Sequence, residues 1–522
     1  MTATDWRGGA RATPQAATWP TGGAAVVAVL GGLLQAWALA PVPRAWAQVL
    51  GLGLLAALVW RGTGVRRHAL LAWLHGTAAL TGTFWWLFIS MHRYGGLPAP
   101  LAGLAVLGLA GFLALYGALA VAAWTRWRSG RLVIDVAGWA ALWLLVDLAR
   151  AQWLTGFPWG AAGYAQIDGP LAVLAPWVGV YGMGAVAAAL AGLGAAWCLS
   201  PGRALAVRLL PVPVLLAGLA WTPPAGSGGD FTRPTRTLSV TLLQGNVPQN
   251  EKFDPAQIEA GLIWHAEALS RVDTDLVVTP ETAIPLLPEQ LPDGYWAGLQ
   301  RRFGQGRGAA LIGLPLGSFE RGYTNSVLGL QAAAPAYRYD KHHLVPFGEF
   351  IPWGFRWFVD LMAIPLGDFS RGPLAAPTFD VRGERIAPNI CYEDLFGEEI
   401  AAGFTDAARA PTVLANVSNI GWFGRSVAVD QHLQISRLRA LELQRPMLRS
   451  TNTGATVIID HLGRVTHQLA PHTRGVLVGE VQGRSGVTPY AWWAGRWRLW
   501  PLWGLGGAGA LCMALAARRR RA

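Results

Sequence analysis

A membrane-crossing helix needs about 20 predominantly apolar residues, because hydrocarbon offers no partner to an exposed backbone group. This chain holds eight apolar runs near that length, and they constrain the fold more than any other feature. Seven fall at roughly 22–40, 45–60, 69–90, 99–124, 133–153, 170–199 and 206–221, and the eighth at roughly 498–517. The second and seventh are short. From about Thr237 to Val481 the chain instead alternates short β-rich runs, charged helices and turn residues, as a soluble α/β domain does. With 52% hydrophobic and 14% charged residues, the whole is too apolar to be disordered and too sparsely charged for an ordinary soluble enzyme. Its 27 Trp suit the aromatic belts of a bilayer.

Short loops rich in Lys and Arg stay on the cytoplasmic side. Here they are the loops with Arg7 and Arg11, with Arg61, Arg66 and Arg67, with Arg126, Arg128 and Arg131, and with Arg203 and Arg208, followed by the Arg518–Arg521 tail. The alternate loops hold only Arg44, Arg93 and Arg150. Eight spans therefore place the soluble insert outside the cytoplasm. The net charge of +12 is then explained by topology, and no nucleic-acid partner is expected. The first run, ending in Ala38-Leu39-Ala40, also resembles a signal peptide; the later spans weigh against cleavage and the later topology is the same either way. The expected organisation is a membrane domain of about seven helices over 1–222, a linker over 223–236, an α/β domain over 237–483, and a return segment over 484–522 with the eighth helix and a basic tail. Three Cys exclude a disulfide scaffold.

Within the insert, strands are expected at Leu238–Gln244, Leu276–Thr279, Ala309–Leu314, Ser326–Leu330, Tyr337–Asp340, Arg385–Cys391, Thr412–Val417, Thr456–Asp460 and Gly475–Val481. Helices are expected from Asp254-Pro255 to about Arg271, with an Asp cap and Pro in the first turn, and from about Val429 to Leu443. Sheets sandwiched by helices are the natural architecture.

Three residues stand out for chemistry. Cys391 ends an apolar strand and precedes the polar turn Tyr392-Glu393-Asp394, where a nucleophile is exposed on rigid backbone. A lone Cys is more often a buried packing residue. However, Cys198 and Cys512 lie in or beside membrane spans, so Cys391 has no disulfide partner in its own domain, and an unpaired thiol outside the cytoplasm calls for a reason. Glu281 lies at a strand end between Pro280 and Pro285, placed as a general base must be; alone, it would read as a solvated loop Glu. Lys341 is one of only two lysines, with Lys252, among 42 basic residues. A compact ammonium favours a thiolate and stabilises an oxyanion; the alternative is a surface Lys kept by chance. His342 and His343 lack zinc-site spacing, and no metal is expected. No Gly-x-Gly-x-x-Gly or P-loop follows a strand, and no cofactor is expected.

Glu281, Lys341 and Cys391, in that order and spacing, resemble the Glu-Lys-Cys triad of the nitrilase (carbon–nitrogen hydrolase) superfamily. Such a domain inserted between a seventh and an eighth membrane helix resembles the apolipoprotein N-acyltransferase family. The resemblance extends through Gly156–Trp159, Gln166–Pro170, Gln244–Asn246, Pro280–Ala283, His343–Glu349, Cys391–Glu393, Ser418-Asn419 with Trp422–Gly424, and Arg445–Asn452. It implies a multi-pass α-helical membrane domain joined to an extracytoplasmic, nitrilase-like αββα sandwich. It further implies a bacterial inner-membrane enzyme whose acyl donor is a membrane phospholipid, by family habit phosphatidylethanolamine, and whose acceptor is a diacylated apolipoprotein. Glu281 would be the base, Lys341 the electrostatic partner and Cys391 the nucleophile. Glu349, Tyr392 and Glu393 would support the site, and Phe253, Trp422 and Phe423 would contact substrate. Two residues depart from the family pattern: Phe253 stands where Trp is usual, and Ile420 where Asp is usual. Trp353, Phe355, Trp357 and Phe358 form either an interfacial arm or core packing. An insert pinned by membrane helices at both ends is expected to work as a monomer. The competing readings are a membrane-tethered nitrilase-type amidase, and a lipid-binding or transport protein without catalysis.

Overall fold

The computed structural model describes residues 21–521 apart from 61, 63, 200–217, 219–226, 253, 307, 333 and 362–367. The run expected at 206–221 and the side chain of Phe253 therefore lie outside the described residues, the single Gly218 excepted.

The N-terminal helices are α1 (Thr21–Trp37), α2 (Ala45–Val59), α3 (Val65–Phe84), α4 (Ala99–Trp127), α5 (Leu132–Gln152) and α6 (Ala175–Cys198). Segments Ala99–Trp127, Leu132–Thr155, Pro170–Cys198 and, near the C-terminus, Trp500–Arg521 are long and apolar enough to cross a membrane; Gly22–Trp37 and Ala45–Val59 are shorter apolar helices. Small residues bring these helices close, the usual device where lipid supplies no hydrophobic drive between them. At Gly32 of α1, a Cβ would stand 2.1 Å from the carbonyl oxygen of His75 in α3, so only glycine fits that crossing. The third run does not continue as one helix to residue 90. It breaks after Phe84, and Trp86 turns its indole to the catalytic domain before one π-helical turn at Ser90–Tyr94.

The insert is a nitrilase-like fold of two six-stranded sheets. The first comprises β1 (Thr232–Gln244), β2 (Leu276–Val278), β3 (Ala309–Ser318), β4 (Gly322–Leu330) and β5 (Tyr337–Asp340), with β12 (Gly475–Gly486) at its edge beside β1. The second comprises β6 (Phe379–Val381), β7 (Glu384–Ile390), β8 (Val413–Ser418), β9 (Met447–Thr451), β10 (Val457–Ile459) and β11 (Val465–Gln468), in sequential order. The sheets face each other across Val240, Leu276, Leu311, Ile386, Val413 and Leu448. Helices α7 (Pro255–Arg271) and α8 (Tyr295–Gly304) cover the first sheet. Helices α9 (Ala428–Leu443) and α10 (Pro489–Trp497) cover the second, and α11 (Trp500–Arg521) ends the chain.

The expected elements are present, with instructive differences. The α7 cap forms as expected, Asp254 accepting from the Ala256 N–H at 2.9 Å. Strand β1 starts at Thr232 rather than Leu238, because its first half is polar, exposed and held by backbone pairing to β12 rather than by an apolar face. Strands β6, β9 and β11 and helix α8 are short, or lack the alternation that would have marked them in the sequence.

Helix α9 joins the two domains. The Trp86 and Trp159 indoles donate to the same Gln431 Oε1, at 3.0 and 2.7 Å, and Gln431 Nε2 donates to the Thr83 carbonyl at 2.8 Å. Arg437 forks onto Asp168 at 2.5 and 3.0 Å. Glu442 accepts from the Val180 N–H at 2.6 Å, next to Gly179, whose φ of 65° and close contact with the Tyr490 ring both require glycine. Replacing Gln431 with Leu strands the buried Trp159 indole N–H, at about 1–3 kcal/mol, while the Trp86 indole and the Thr83 carbonyl keep each other at 3.0 Å. Chemical denaturation in detergent is expected to show Gln431→Leu destabilised, with the membrane helices and the catalytic domain losing their common transition.

Candidate active site

In α/β folds, ligand sites form at the carboxyl ends of parallel strands. β1, β2 and β3 run parallel, as do β7, β8 and β9. Glu281 follows β2, Lys341 follows β5, and Cys391 follows β7 directly. Two of the three residues thus come from one sheet and the cysteine from the other. Cys391 lies just beyond the strand that was expected to include it, at φ 54°, a left-handed conformation that non-glycine residues seldom adopt. That turn lifts the sulfur off the strand end, as at other strained nucleophile positions.

Lys341 Nζ, nearly inaccessible, donates to Glu281 Oε1 at 3.3 Å and to Glu349 Oε1 at 2.9 Å. Asn325 on β4 spans the same two oxygens, at 2.7 and 2.8 Å. The Asn419 N–H fixes Glu281 Oε2 at 2.7 Å, and the Val345 N–H fixes Glu349 Oε2 at 2.8 Å. Ser418 Oγ donates to Cys391 Sγ at 3.2 Å. Glu281 and Asn419 are thus bonded, and Ser418, the neighbour of Asn419, holds the sulfur, so the three predicted groups meet in one place. Glu349, expected beside the triad, shares both Lys341 and Asn325 with Glu281.

Burial alone would push the Glu281 carboxyl up, but Lys341, Asn325, Lys252 and the Asn419 N–H together hold it below the usual glutamate range. Burial would discharge Lys341, yet Glu349 and Glu281 keep its ammonium more firmly protonated than an ordinary lysine. Burial and the Glu281 charge push the Cys391 thiol up to about 12, against the opposing pull of Lys341 and Ser418. The resting site therefore holds a carboxylate, an ammonium and a neutral thiol.

Glu393 ties the cysteine turn to the lysine loop. It accepts from the Ile390, His342 and His343 N–H groups at 2.6, 2.7 and 3.1 Å and from the Tyr339 hydroxyl at 2.7 Å. The Tyr392 hydroxyl donates to the Gly156 carbonyl of the membrane domain at 2.9 Å. His342 bonds the Gly372 carbonyl and His343 bonds Glu399, so both imidazoles hold loops. Phe423 packs against Trp86, with centroids 4.2 Å apart, and Trp422 meets Tyr94 at 6.0 Å, both at the domain junction. Ile420 is buried in that junction's apolar core. Trp353 is 98% exposed and Trp357 63%, which removes the core-packing reading for these two, whereas Phe358 packs against the cluster of Leu97, Ala102 and Val359.

Sequence reasoning missed a second buried network beneath the cysteine. His432 Nε2 lies 2.8 Å from Asp394 Oδ1 and 3.3 Å from the Cys391 carbonyl, while Arg449 Nη2 lies 2.9 Å from Nδ1. Guanidinium can only donate. Nδ1 must therefore accept, and the proton sits on Nε2, donated toward the cysteine turn. Arg449 also bonds Asp394 at 3.2 Å. The signal was faint: a charged run on a helix reads as a solvated face until the helix is known to be buried on all sides.

Residues 31–193 match the Apolipoprotein N-acyltransferase N-terminal domain, and residues 239–490 match the Carbon-nitrogen hydrolase domain. A protein of Verminephrobacter eiseniae named Apolipoprotein N-acyltransferase is 52% identical over 94% of this chain and 95% of its own. One of the same name from Ralstonia nicotianae is 45% identical over 96% and 94%. This chain belongs to the apolipoprotein N-acyltransferase family. Among solved structures, a carbon-nitrogen hydrolase from Helicobacter pylori G27 covers 51% of this chain and 94% of its own, at 17% identity and a TM-score of 0.35. Membership in the apolipoprotein N-acyltransferase family makes the chain an enzyme of the acyltransferase class and a membrane protein.

Two outcomes follow from the geometry. Because the resting thiol titrates near 12, alkylation of Cys391 by iodoacetamide without substrate is expected to climb about tenfold per pH unit from about pH 7 to about pH 10. A plateau near neutral pH contradicts the neutral-thiol assignment. Asp394→Ala leaves Arg449 buried and uncompensated, and is expected to cost about 3–5 kcal/mol in chemical denaturation.

Proposed function

We propose that this protein N-acylates the N-terminal diacylglyceryl-cysteine of bacterial lipoproteins, taking the acyl chain from a phospholipid through a thioester on Cys391. The observation that carries the reading is the convergence of Glu281, Lys341 and Cys391 at the facing strand ends. Full-length relatives bearing the acyltransferase name support it.

In the first half, Glu281 takes the Cys391 proton as the sulfur attacks an acyl ester of the donor, for which phosphatidylethanolamine is the candidate. Two of the three Lys341 protons are committed to Glu281 and Glu349, which leaves the third to meet the developing oxyanion. A single such donor is worth about 3–4 kcal/mol of barrier. Glu281 passes the thiol proton to the departing ester oxygen, the C–O bond breaks, lysophospholipid leaves as the alcohol, and the acyl group stays on sulfur. In the second half, the α-amine of the diacylated cysteine attacks the thioester, Glu281 receives a proton, and an amide forms as the thiolate departs.

Both substrates keep acyl chains in the bilayer. Each CH₂ drawn into water costs about 0.8 kcal/mol, so the site has to meet its substrates at the membrane face. The exposed Trp353 and Trp357 suit an arm lying in that face. The arginine distribution supports a multi-pass inner-membrane protein with its catalytic domain on the periplasmic side, and we propose that it acts as a monomer. Phe253, Trp422 and Phe423 are proposed as substrate contacts, the last two through the aromatic junction with the membrane domain.

Incubating the purified enzyme with phosphatidylethanolamine alone is expected to release lysophospholipid and add one acyl mass to the peptide carrying Cys391. Adding a diacylated lipopeptide should then clear that mass and yield an N-acylated product. Cys391→Ser and Lys341→Met should accumulate no thioester. An enzyme that ignores the lipid but hydrolyses small amides would be the tethered amidase instead, and unchanged function in Cys391→Ser would favour the transport reading.

A further inference from the structure

The two lysines of this arginine-rich chain both lie at the site, in different company. Lys341 has two carboxylates within 3.3 Å. Lys252 is also buried, but among the described residues it has no carboxylate at ion-pair distance; its Nζ bonds the hydroxyl of Thr282, the residue next to Glu281. A buried ammonium paired with two anions stays charged, whereas one facing a neutral hydroxyl readily gives up its proton. Arginine cannot do this at all, which gives a reason for Lys at this position in a chain with 42 basic residues.

Lys252 and Glu281 line a small pocket, open to one side, together with Thr282, His265 and Asn452. His265 is almost wholly buried, and its Nδ1 faces the Gly261 carbonyl at 2.8 Å. A carbonyl accepts, so Nδ1 carries the proton and Nε2 keeps a lone pair. That lone pair has no partner among the described residues, and it lies where a Cβ on Gly245 would stand 3.3 Å away. The pocket thus offers a titratable amine and an unpaired acceptor beside the proposed base, a set suited to a ligand that brings N–H groups.

We propose that Lys252 is a second base of this site, which removes the surplus proton from the incoming ammonium group of the acceptor before it attacks the thioester. The inference rests on the transferase reading above. Neutral Lys252 takes one proton from R–NH₃⁺, giving its own ammonium and R–NH₂. The amine nitrogen then bonds to the thioester carbonyl carbon, the C–S bond breaks, and Cys391 leaves as thiolate. The second amine proton passes to Glu281 and from there to the sulfur. Lys252 returns its proton to solvent between turnovers. The division of labour has a reason: Glu281 is clamped as a carboxylate by Lys341, Asn325 and Asn419, and is a weak base toward an ammonium.

The charged and titratable groups facing Lys252 are Glu281 and Cys391 on the acidic side and His265 on the basic side, and Arg474 in turn faces His265. Burial pulls the Lys252 ammonium down to about 8, partly offset by Glu281 and Cys391, and burial pulls His265 down to about 4. Lysine can therefore exchange a proton near neutral pH while the imidazole remains an acceptor.

The test uses the full-length enzyme, first charged with acyl groups from phosphatidylethanolamine, then chased in a single turnover at about pH 7 with either a diacylated lipopeptide or methoxyamine, which is uncharged at that pH. Lys252→Met and Lys252→Arg are both expected to slow transfer to the lipopeptide by about 100-fold, while transfer to methoxyamine stays within about threefold of the unaltered enzyme. Charging of the variants shows that they are folded. Full lipopeptide transfer by Lys252→Arg, or equal losses with both acceptors, overturns the proposal. So does a variant that cannot be charged although its denaturation curve is unaltered, because the lysine would then serve the first half-reaction. In the unaltered enzyme, methoxyamine transfer should be nearly flat with pH while lipopeptide transfer rises; parallel profiles overturn the proposal without any variant. Failure of the unaltered enzyme to form acyl-Cys391 would instead count against the transferase reading.

Discussion

The buried ammonium of Lys341, shared between Glu281 and Glu349, is the interaction on which the site depends. It supplies the nearest positive charge that offsets the burial of the Glu281 carboxylate. Asn325 spans the same two oxygens, so the triad is better described as one polar network of two acids, an amide and an amine. With the network complete, the carboxylate suits the proposed proton acceptor and the ammonium suits the proposed oxyanion contact. Without Lys341, the two buried carboxylates would keep their bonds from Asn325, Asn419 and Val345 but lose the ammonium they share.

The membrane domain contributes to the site as well as anchoring it. Helix α9 is gripped by Trp86 and Trp159 at Gln431, and the next residue, His432, reaches the Cys391 carbonyl while its ring lies tilted against Trp159, centroids 5.3 Å apart. Tyr392, beside the nucleophile, bonds the membrane-domain loop at Gly156. The strained turn at Cys391 is therefore held from three sides: by Glu393 within the sheet layer, by His432 below, and by the membrane domain through Tyr392. Such a turn persists only where its surroundings over-determine it.

Much of this was legible in the sequence, for physical reasons. Apolar runs and arginine placement report on membrane crossing because hydrocarbon is so selective a solvent. Cys391, Glu281 and Lys341 were recognisable because strand ends and rare residue types are local signals. Asn325 was missed because its strand begins with polar residues that read as a loop, and the role of Lys252 was missed because nothing local shows which side chains a lysine will face. The Asp394–His432–Arg449 network was hidden because burial on all sides comes from two domains docking, and no window of sequence reports that. The Thr232 start of β1 was hidden likewise, since backbone pairing to β12 leaves no side-chain pattern.

A double-mutant cycle on thioester formation addresses the central claim most directly. Glu281→Gln, Lys341→Met and the double variant are charged with phosphatidylethanolamine, and the rate of acyl-Cys391 formation is followed by mass spectrometry. Groups that act as one unit lose nearly everything when either is removed, so the double variant should be about as slow as the slower single one. Rate losses that multiply in the double variant would mean that the carboxylate and the ammonium act independently, which contradicts the account.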